Sequence, residues 1–474
     1  MPLQLREGRD RPAQPPVRRV DQRVARVGEW LRRHQGAVRK TQWCVVAVYL
    51  VLVAVPAFLP LPDRAAHILG NLTVLAQFAF WGIWWPGVLI SMVIVGRSWC
   101  GFLCPEGTLT EFAARHGRGR ALPRWLTWGG WPFVAFACTT IYGQMISVYQ
   151  YPGPVLVVLG GSTFAAVVVG LRYGRNKRVW CRYLCPVNGV FGLLSKLAPL
   201  HYRVDADAWH ASQARHTHPA SINCAPLVPI RTMKGASDCH MCGRCSGFRG
   251  AVALSVRSPN HEIVNVAGDR TNPWETVLIV FGLMGIAVGA FHWSASPWYV
   301  TAKQFFAERL IDHGVMWPLE LTAPWWVLTN YPAQNDVLTL LDGAVLVGYI
   351  VLTALVLGGL ISVLLAASTR ALGAWSWPRF HHLAQTLVPL AGCGVFLGLS
   401  ALSVTLLRGE GLALPWIGAA RALLLAGAAL WSAWLAWRVA GLSAHGAARG
   451  LATLCVSLAA GLAVGGWGLL FWTW

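Results

Sequence analysis

The chain has 474 residues, is 55% hydrophobic and only 12% charged, and carries 26 tryptophans. A soluble protein would have about a quarter of its residues charged. The formal charge of +20 is gathered in particular loops between long apolar runs, which gives it a membrane explanation and argues against nucleic acid as a partner.

About twenty apolar residues cross a bilayer core. On that measure the sequence predicts an all-α, polytopic membrane helix bundle of about nine spans with a small ferredoxin-like cytoplasmic insertion. The first 41 residues form a basic leader containing Arg6, Arg9, Arg11, Arg18, Arg19, Arg23, Arg26, Arg32, Arg33, Arg39 and Lys40. Pro12, Pro15 and Pro16 predict flexibility there, and the arginines suit anionic membrane lipid. The leader is too long and polar for a signal peptide, so the first apolar run is expected to remain as a helix. The predicted spans are 42–60, 76–96, 125–147, 153–171, 275–293, 343–367, 383–406, 416–437 and 450–472. The run 275–293 is the shortest and most interrupted. Pro132, Pro154 and Pro389 lie in or near spans, where neighbours can satisfy the freed carbonyls.

Basic clusters follow at Arg115, Arg118, Arg120 and Arg124, and at Arg172, Arg175, Lys177, Arg178 and Arg182. The positive-inside rule makes these loops and the N-terminus cytoplasmic. Alternating the spans puts all three regions on one side. The loops near 61–75, 148–152, 294–342 and 407–415 then face outward.

Two stretches are near-duplicates: Arg97-Ser-Trp-Cys-Gly-Phe-Leu-Cys-Pro105 and Arg178-Val-Trp-Cys-Arg-Tyr-Leu-Cys-Pro186. Each follows a predicted span. Proline disfavours helical dihedrals at the preceding cysteine and suits the first position of a new helix. Each Cys-Pro is therefore expected where one helix ends and another begins, with amides favouring a thiolate or an anionic cluster. Cys100, Cys104, Cys181 and Cys185 could converge if the flanking spans pack as a pseudo-symmetric pair. The plainer alternative is two turns with buried thiols.

A third cluster, Cys239-His-Met-Cys242-Gly-Arg-Cys245, lies in the polar segment 201–272. The ferredoxin run is C-x2-C-x2-C-x3-C-P; here it stops at three, and Cys224 is the nearest candidate for a fourth ligand. Gly243 and Gly247 permit tight turns, and Arg244 and Arg249 would raise the potential of an anionic cluster. Zinc is the alternative, although it usually takes two separated pairs. His240 reads as a bystander. All eight of these cysteines fall on the cytoplasmic side, where thiols stay reduced and metal ligation outweighs disulfides. Cys44, Cys138, Cys393 and Cys455 lie singly in apolar runs and read as packing residues.

At these motifs the chain resembles the membrane polyferredoxin family with paired C-x3-C-P motifs, the group that includes NapH, NosR and CcoG. The resemblance covers about residues 40–270 and identifies Cys100, Cys104, Cys181 and Cys185 with the family's membrane-edge cysteines and Cys239, Cys242 and Cys245 with cluster ligands. It implies a multi-pass protein of the bacterial inner membrane, a [4Fe–4S] cluster with room for a second centre, a redox partner protein and quinone as a candidate donor. The chain departs from the family in its truncated single ferredoxin run and in roughly 200 further residues, 273–474, of membrane helix.

The domain plan is thus a leader (1–41), a membrane region with both motifs (42–200), an iron–sulfur segment (201–272) and a C-terminal membrane region (273–474) with an outward loop. In the iron–sulfur segment His201, His210, His216 and His218 read as a solvated loop, and Ile263-Val-Asn-Val266 as a short strand. The outward loop carries Trp298, Trp317, Trp325, Trp326 and Tyr331, read as interfacial helices, and Asp312-His313, a weak proton-shuttle candidate. His67 and His292 lie at similar depth, but haem is disfavoured. Gly358-Gly359 and Gly465-Gly466 predict close helix packing. The function expected is electron relay at the cytoplasmic face to a respiratory or metalloenzyme-maturation partner. The enzymatic readings are a quinol dehydrogenase or metal reductase component. The alternatives are a copper-binding assembly factor, since soft thiolates suit Cu(I), and a transporter or sensor with a regulatory cluster.

Overall fold

The computed structural model describes residues 19–63, 65–214, 222–269 and 271–474. Pro12, Pro15, Pro16, His216 and His218 fall outside them. Eight helices are long and apolar enough to cross a membrane: Gln35–Phe58, Leu72–Val95, Pro152–Tyr173, Pro273–His292, Leu340–Ala371, Val388–Gly409, Ile417–Ala440 and Gly446–Thr473. The remaining predicted run folds as the helix Trp131–Met145, only 15 residues long. At 1.5 Å per residue it measures about 22 Å. It nevertheless runs beside Pro273–His292 from end to end. At one end Trp128 packs edge-on against Trp274, ring centroids 4.8 Å apart. At the other, Trp293 Nε1 donates to Gln144 Oε1 at 2.9 Å. It therefore spans the same layer as its 20-residue neighbour.

Proline marks helix starts: Pro132 and Pro389 occupy first turns, and Pro154 lies in the short opening helix Pro152–Val155. A missing N–H costs nothing there. The span Pro273–His292, short in sequence, is the central helix, with 72% of its apolar window buried. Its glycines allow that position. A Cβ on Gly285 would lie 2.8 Å from the Ala354 Cα, and one on Gly289 would lie 3.0 Å from the Ile350 Cα, so two backbones touch where small residues permit it. Gly358 gives way to the Phe281 ring, whereas Gly359 and Gly465 face open space; only half of the expected glycine packing is used. The C-terminal helices share one buried core with the motif region, running through Met92, Leu194, Leu283, Leu365, Leu435 and Val456.

On the cysteine-bearing face, β1 (Leu200–Val204) pairs antiparallel with β2 (Val252–Val256), Tyr202 opposite Leu254. The predicted strand at Ile263 is instead a short helix, His261–Asn265. Glu262, Ile263 and Val264 are all buried, which the alternation of a strand cannot provide. The Glu262 carboxylate turns inward to accept from Ala236 N–H at 2.7 Å and to pair with Arg257.

The leader from Arg19 onward is a helix, Arg19–Arg33, laid over β2 and the cysteine loop. Val24 packs against the cluster that holds Tyr202, Met241 and Leu254, as Cys239 and Cys245 do. Leu31 comes so near Gly243 that a Cβ there would stand 2.9 Å from the Leu31 Cβ. On the opposite face, Trp298, Trp317 and Trp326 are exposed around Pro297–Asp312 and Trp317–Glu320, as interfacial helices require. His67 bonds Glu410 at 3.1 Å, while His292 packs against the rings of Trp467 and Trp474. The two do not pair as haem ligands would. Cys44 and Cys138 face outward rather than into the core.

Candidate iron–sulfur site

Each motif folds as a hinge between two helices. After Leu72–Val95 the chain turns at Gly96, φ +64°, and makes the short helix Ser98–Phe102. Leu103 and Cys104 both return their N–H to Trp99 O at 2.9 Å. Cys104 then takes extended dihedrals and caps Pro105–Arg115, its Sγ accepting from Gly107 N–H at 3.3 Å. The second copy repeats the fold at Val179–Tyr183, with Leu184 and Cys185 returning to Trp180 O. There the following helix starts later, at Asn188, after a turn in which the Val187 N–H faces the Cys185 thiol. The expected helix break at Cys-Pro is present in both copies, while immediate restart at proline holds only for the first.

Cys100, Cys104, Cys181 and Cys185 line one cavity of about 230 Å³. Burial raises the Cys181 thiol to about 12 despite nearby Arg178. It pushes Cys104 and Cys185 well above the ordinary thiol range, and the crowding of the other thiols and Glu106 adds to the effect. Such groups stay neutral unless a cation or cluster takes the thiolate form. Glu106 is buried beside them and its carboxyl is likewise raised, against hydrogen bonds from Ser162 and Trp180. The inner wall of the cavity is aromatic and includes Trp84, Trp99, Phe136 and Tyr149.

The two motif arginines clasp each other's copy. Arg178, 2% exposed, donates to Cys100 O at 2.7 Å and pairs with Glu111 at 2.7 Å. Arg97 donates to Asn188 Oδ1 at 2.6 Å and to Ser237 O at 2.9 Å. Glu111 also binds Arg244 at 2.8 Å, which ties the membrane-edge pair to the third cysteine run. The Glu111 carboxyl pays for its burial with these two guanidinium groups, and its pKa is lowered.

Cys224, Cys239, Cys242 and Cys245 come together under the leader helix. The Cys239 thiol is raised by burial and then by Cys245 and Cys242. Cys245 is raised to about 12 by burial, with Cys242 and Cys224 adding. Met241, Gly243 and Gly247 hold positive φ, and Met241 N–H donates to Cys239 Sγ at 3.4 Å. Lys177 Nζ holds Cys224 through its carbonyl at 3.1 Å, and Arg178 N–H donates to Ala225 O at 2.7 Å. Tyr202 OH, Ser246 Oγ and His240 Nδ1 are buried polar atoms beside this run without a hydrogen-bond partner among the described residues. Thiols, turned amides and orphan donors fit a sulfide-rich cluster.

Where the copies differ, the structure gives the reason. Gly101 of the first copy corresponds to Arg182 of the second. A Cβ on Gly101 would lie 2.2 Å from His240 O and 3.0 Å from Cys242 N. The cysteine run rests directly on the membrane-edge motif, and only glycine permits it. Arg182 instead reaches Asp238 across the same loop. His240, read as a bystander, is 3% exposed and lines the cavity of the four membrane-edge cysteines. Among the described residues no three His, Cys, Asp or Glu side chains are grouped to hold a single metal ion. A lone zinc needs its thiolates within ~2.3 Å of one point. Glu111 and Gly101 had no role in the sequence, where Arg97 and Arg178 stood only as matching motif positions and Arg178 as a cytoplasmic-loop cation. The mismatch of Gly101 with Arg182 was the available signal.

A family described as "4Fe-4S binding domain" matches residues 77–123 and 156–204, the two segments that contain the paired cysteines. A protein named for electron transport, YccM of Escherichia coli (strain K12), is 24% identical over 48% of this chain and 69% of its own. A methylamine utilization ferredoxin-type protein, MauN of Methylorubrum extorquens, is 31% identical over 23% of this chain and 42% of its own. The protein of that name from Paracoccus denitrificans is 26% identical over 35% and 73%. No solved structure matches. Over its two paired-cysteine segments the chain is thus similar to a 4Fe–4S binding family, and the relatives it matches carry electron-transport and ferredoxin-type names.

Proposed function

We propose that the protein relays single electrons between two iron–sulfur centres on the cytoplasmic face of a bacterial inner membrane. Cys224, Cys239, Cys242 and Cys245 would hold one [4Fe–4S] cluster; Cys100, Cys104, Cys181 and Cys185 would hold the second centre. A bound cluster supplies one-electron chemistry at a potential set by burial, charge and hydrogen bonds to sulfur. The chain's own residues do the rest. Arg97, Arg178 and Arg244 offset anionic charge, Gly101 brings the two cysteine sets into backbone contact, and the bundle excludes water. The observation that carries the reading is the Gly101 approach to His240 and Cys242, because a relay needs its stations adjacent. Orientation follows from the basic loops.

The donor that fits the aromatic wall is a membrane quinol, giving two electrons and two protons. Glu106 and His240 both line that cavity and are the groups that would take the two protons. Val158 also lines the cavity, and Val158→Trp would fill it. In lipid nanodiscs without oxygen, quinol should bleach the visible absorption of the wild type and leave Val158→Trp unreduced, while dithionite bleaches both. Equal quinol reduction of both would remove the cavity as the donor site. The acceptor is a respiratory or metalloenzyme-maturation partner. The copper reading gains no support from how the thiols are grouped.

A further inference from the structure

The run Cys224–Cys245 touches the membrane-edge motif on one side and opens to solvent on another. Cys224 lies in the floor of an open depression of about 530 Å³. None of Cys239, Cys242 and Cys245 lines it. Its walls carry Lys177, Arg231 and Arg249, with Trp209 and Ile230, and among the described residues no carboxylate. Arg249 is held in the left-handed region, φ 55°, a conformation unfavourable for a non-glycine residue. Its guanidinium lies over the Trp209 ring, 5.2 Å from the centroid, and its Nε is buried without a partner. Arg231 is exposed and has no ion pair among the described residues.

We propose that this depression docks the acidic face of a soluble one-electron carrier protein, making Cys224 the port through which the relay exchanges electrons with the aqueous side. The argument is charge complementarity at the point of shortest access. Three cations without a carboxylate attract an acidic surface. Trp209 and Ile230 offer an apolar centre, and the cations form a rim around a desolvated contact. The step balances simply: in the relay's forward direction the reduced centre loses one electron and the oxidised carrier gains it, no bond or proton moves, and the same docked contact carries the reverse transfer from a reduced carrier. This inference rests on the iron–sulfur reading above.

The test uses the full chain in nanodiscs, an acidic flavodoxin as the protein probe and photoreduced deazariboflavin as a small neutral reductant. Arg231→Glu should weaken flavodoxin binding and slow its reduction of the protein about ten-fold, as expected for loss of electrostatic steering. Arg231→Lys should restore both, and salt should slow the wild type while leaving Arg231→Glu nearly flat. Reduction by deazariboflavin should be unchanged. Arg124→Glu, an exposed reversal elsewhere, should behave as the wild type. Unchanged binding and rate in Arg231→Glu would overturn the proposal, as would equal slowing by both reductants. Protein that holds no iron would defeat the iron–sulfur reading itself, an outcome separate from either of these.

Discussion

Gly101→Ala tests the contact between the two cysteine sets with a single methyl group. The new Cβ would stand 2.2 Å from His240 O and 3.1 Å from the Cys242 Cα, where ordinary contact begins at 3.4 Å. Both neighbours are backbone, pinned by Gln35 to Cys242 O at 3.0 Å and by Gln42 to Gly101 O at 2.8 Å, so no side chain can swing away. The cysteine loop must recede by about 1 Å to regain van der Waals distance. Overpacking of this kind costs about 1–3 kcal/mol. Thermal unfolding in detergent should show that loss. Gly348→Ala, in a mid-helix position with nothing within 4 Å, should instead gain about 0.5–1 kcal/mol. Anaerobic stopped-flow should show electron transfer between the centres slowed several-fold in Gly101→Ala, with iron content retained. Wild-type stability and transfer rate in that variant would refute the claim that the two sets are packed backbone to backbone.

Other perturbations separate the remaining contributions. Glu111→Gln strips two guanidinium groups of their partner. Because Arg178 is buried, the cost should be about 3–5 kcal/mol, read as a lowered thermal midpoint. Gly358→Ala should destabilise through the Phe281 ring at 2.4 Å, while Gly359→Ala, facing open space, should not; comparing the two thermal midpoints checks this. His201 is depressed to about 4 by burial and by Arg257. The unfolded state therefore takes up its proton first, and stability falls as pH drops from about 6.5 toward 4, by roughly 3 kcal/mol in all. Denaturation of wild type and His201→Gln across that range checks the sign, since the variant should lose this share of the dependence while the other buried histidines keep theirs.

The membrane class, the position of nearly every span and the break at each Cys-Pro were legible, because hydropathy and proline act locally. The convergence of Cys100, Cys104, Cys181 and Cys185 was readable only through the repeat, which implied two related hinges facing one another. What the sequence hid depended on tertiary contact. Ile263–Val266 looks like a strand until Glu262 is found turned inward to Ala236 and Arg257. The leader looked like a tail because its arginines dominate its composition, yet Val24, Gly28 and Leu31 form a face that covers the cysteine loop. The run 125–147 reads as a full span, and only the structure shows its helix shortened to Trp131–Met145. His240 looked idle because nothing in the local spacing shows that Gly101 lies against it.

The most direct measurement is iron and acid-labile sulfide, with EPR of the reduced state, on anaerobically purified full-length protein. It should be compared with variants carrying serine at Cys100, Cys104, Cys181 and Cys185, or at Cys239. The wild type should show two centres, the first variant should lose one and keep the other signal, and Cys239→Ser should lose the complementary one. Iron-free wild-type protein, or an unchanged iron content in the quadruple variant, would contradict it.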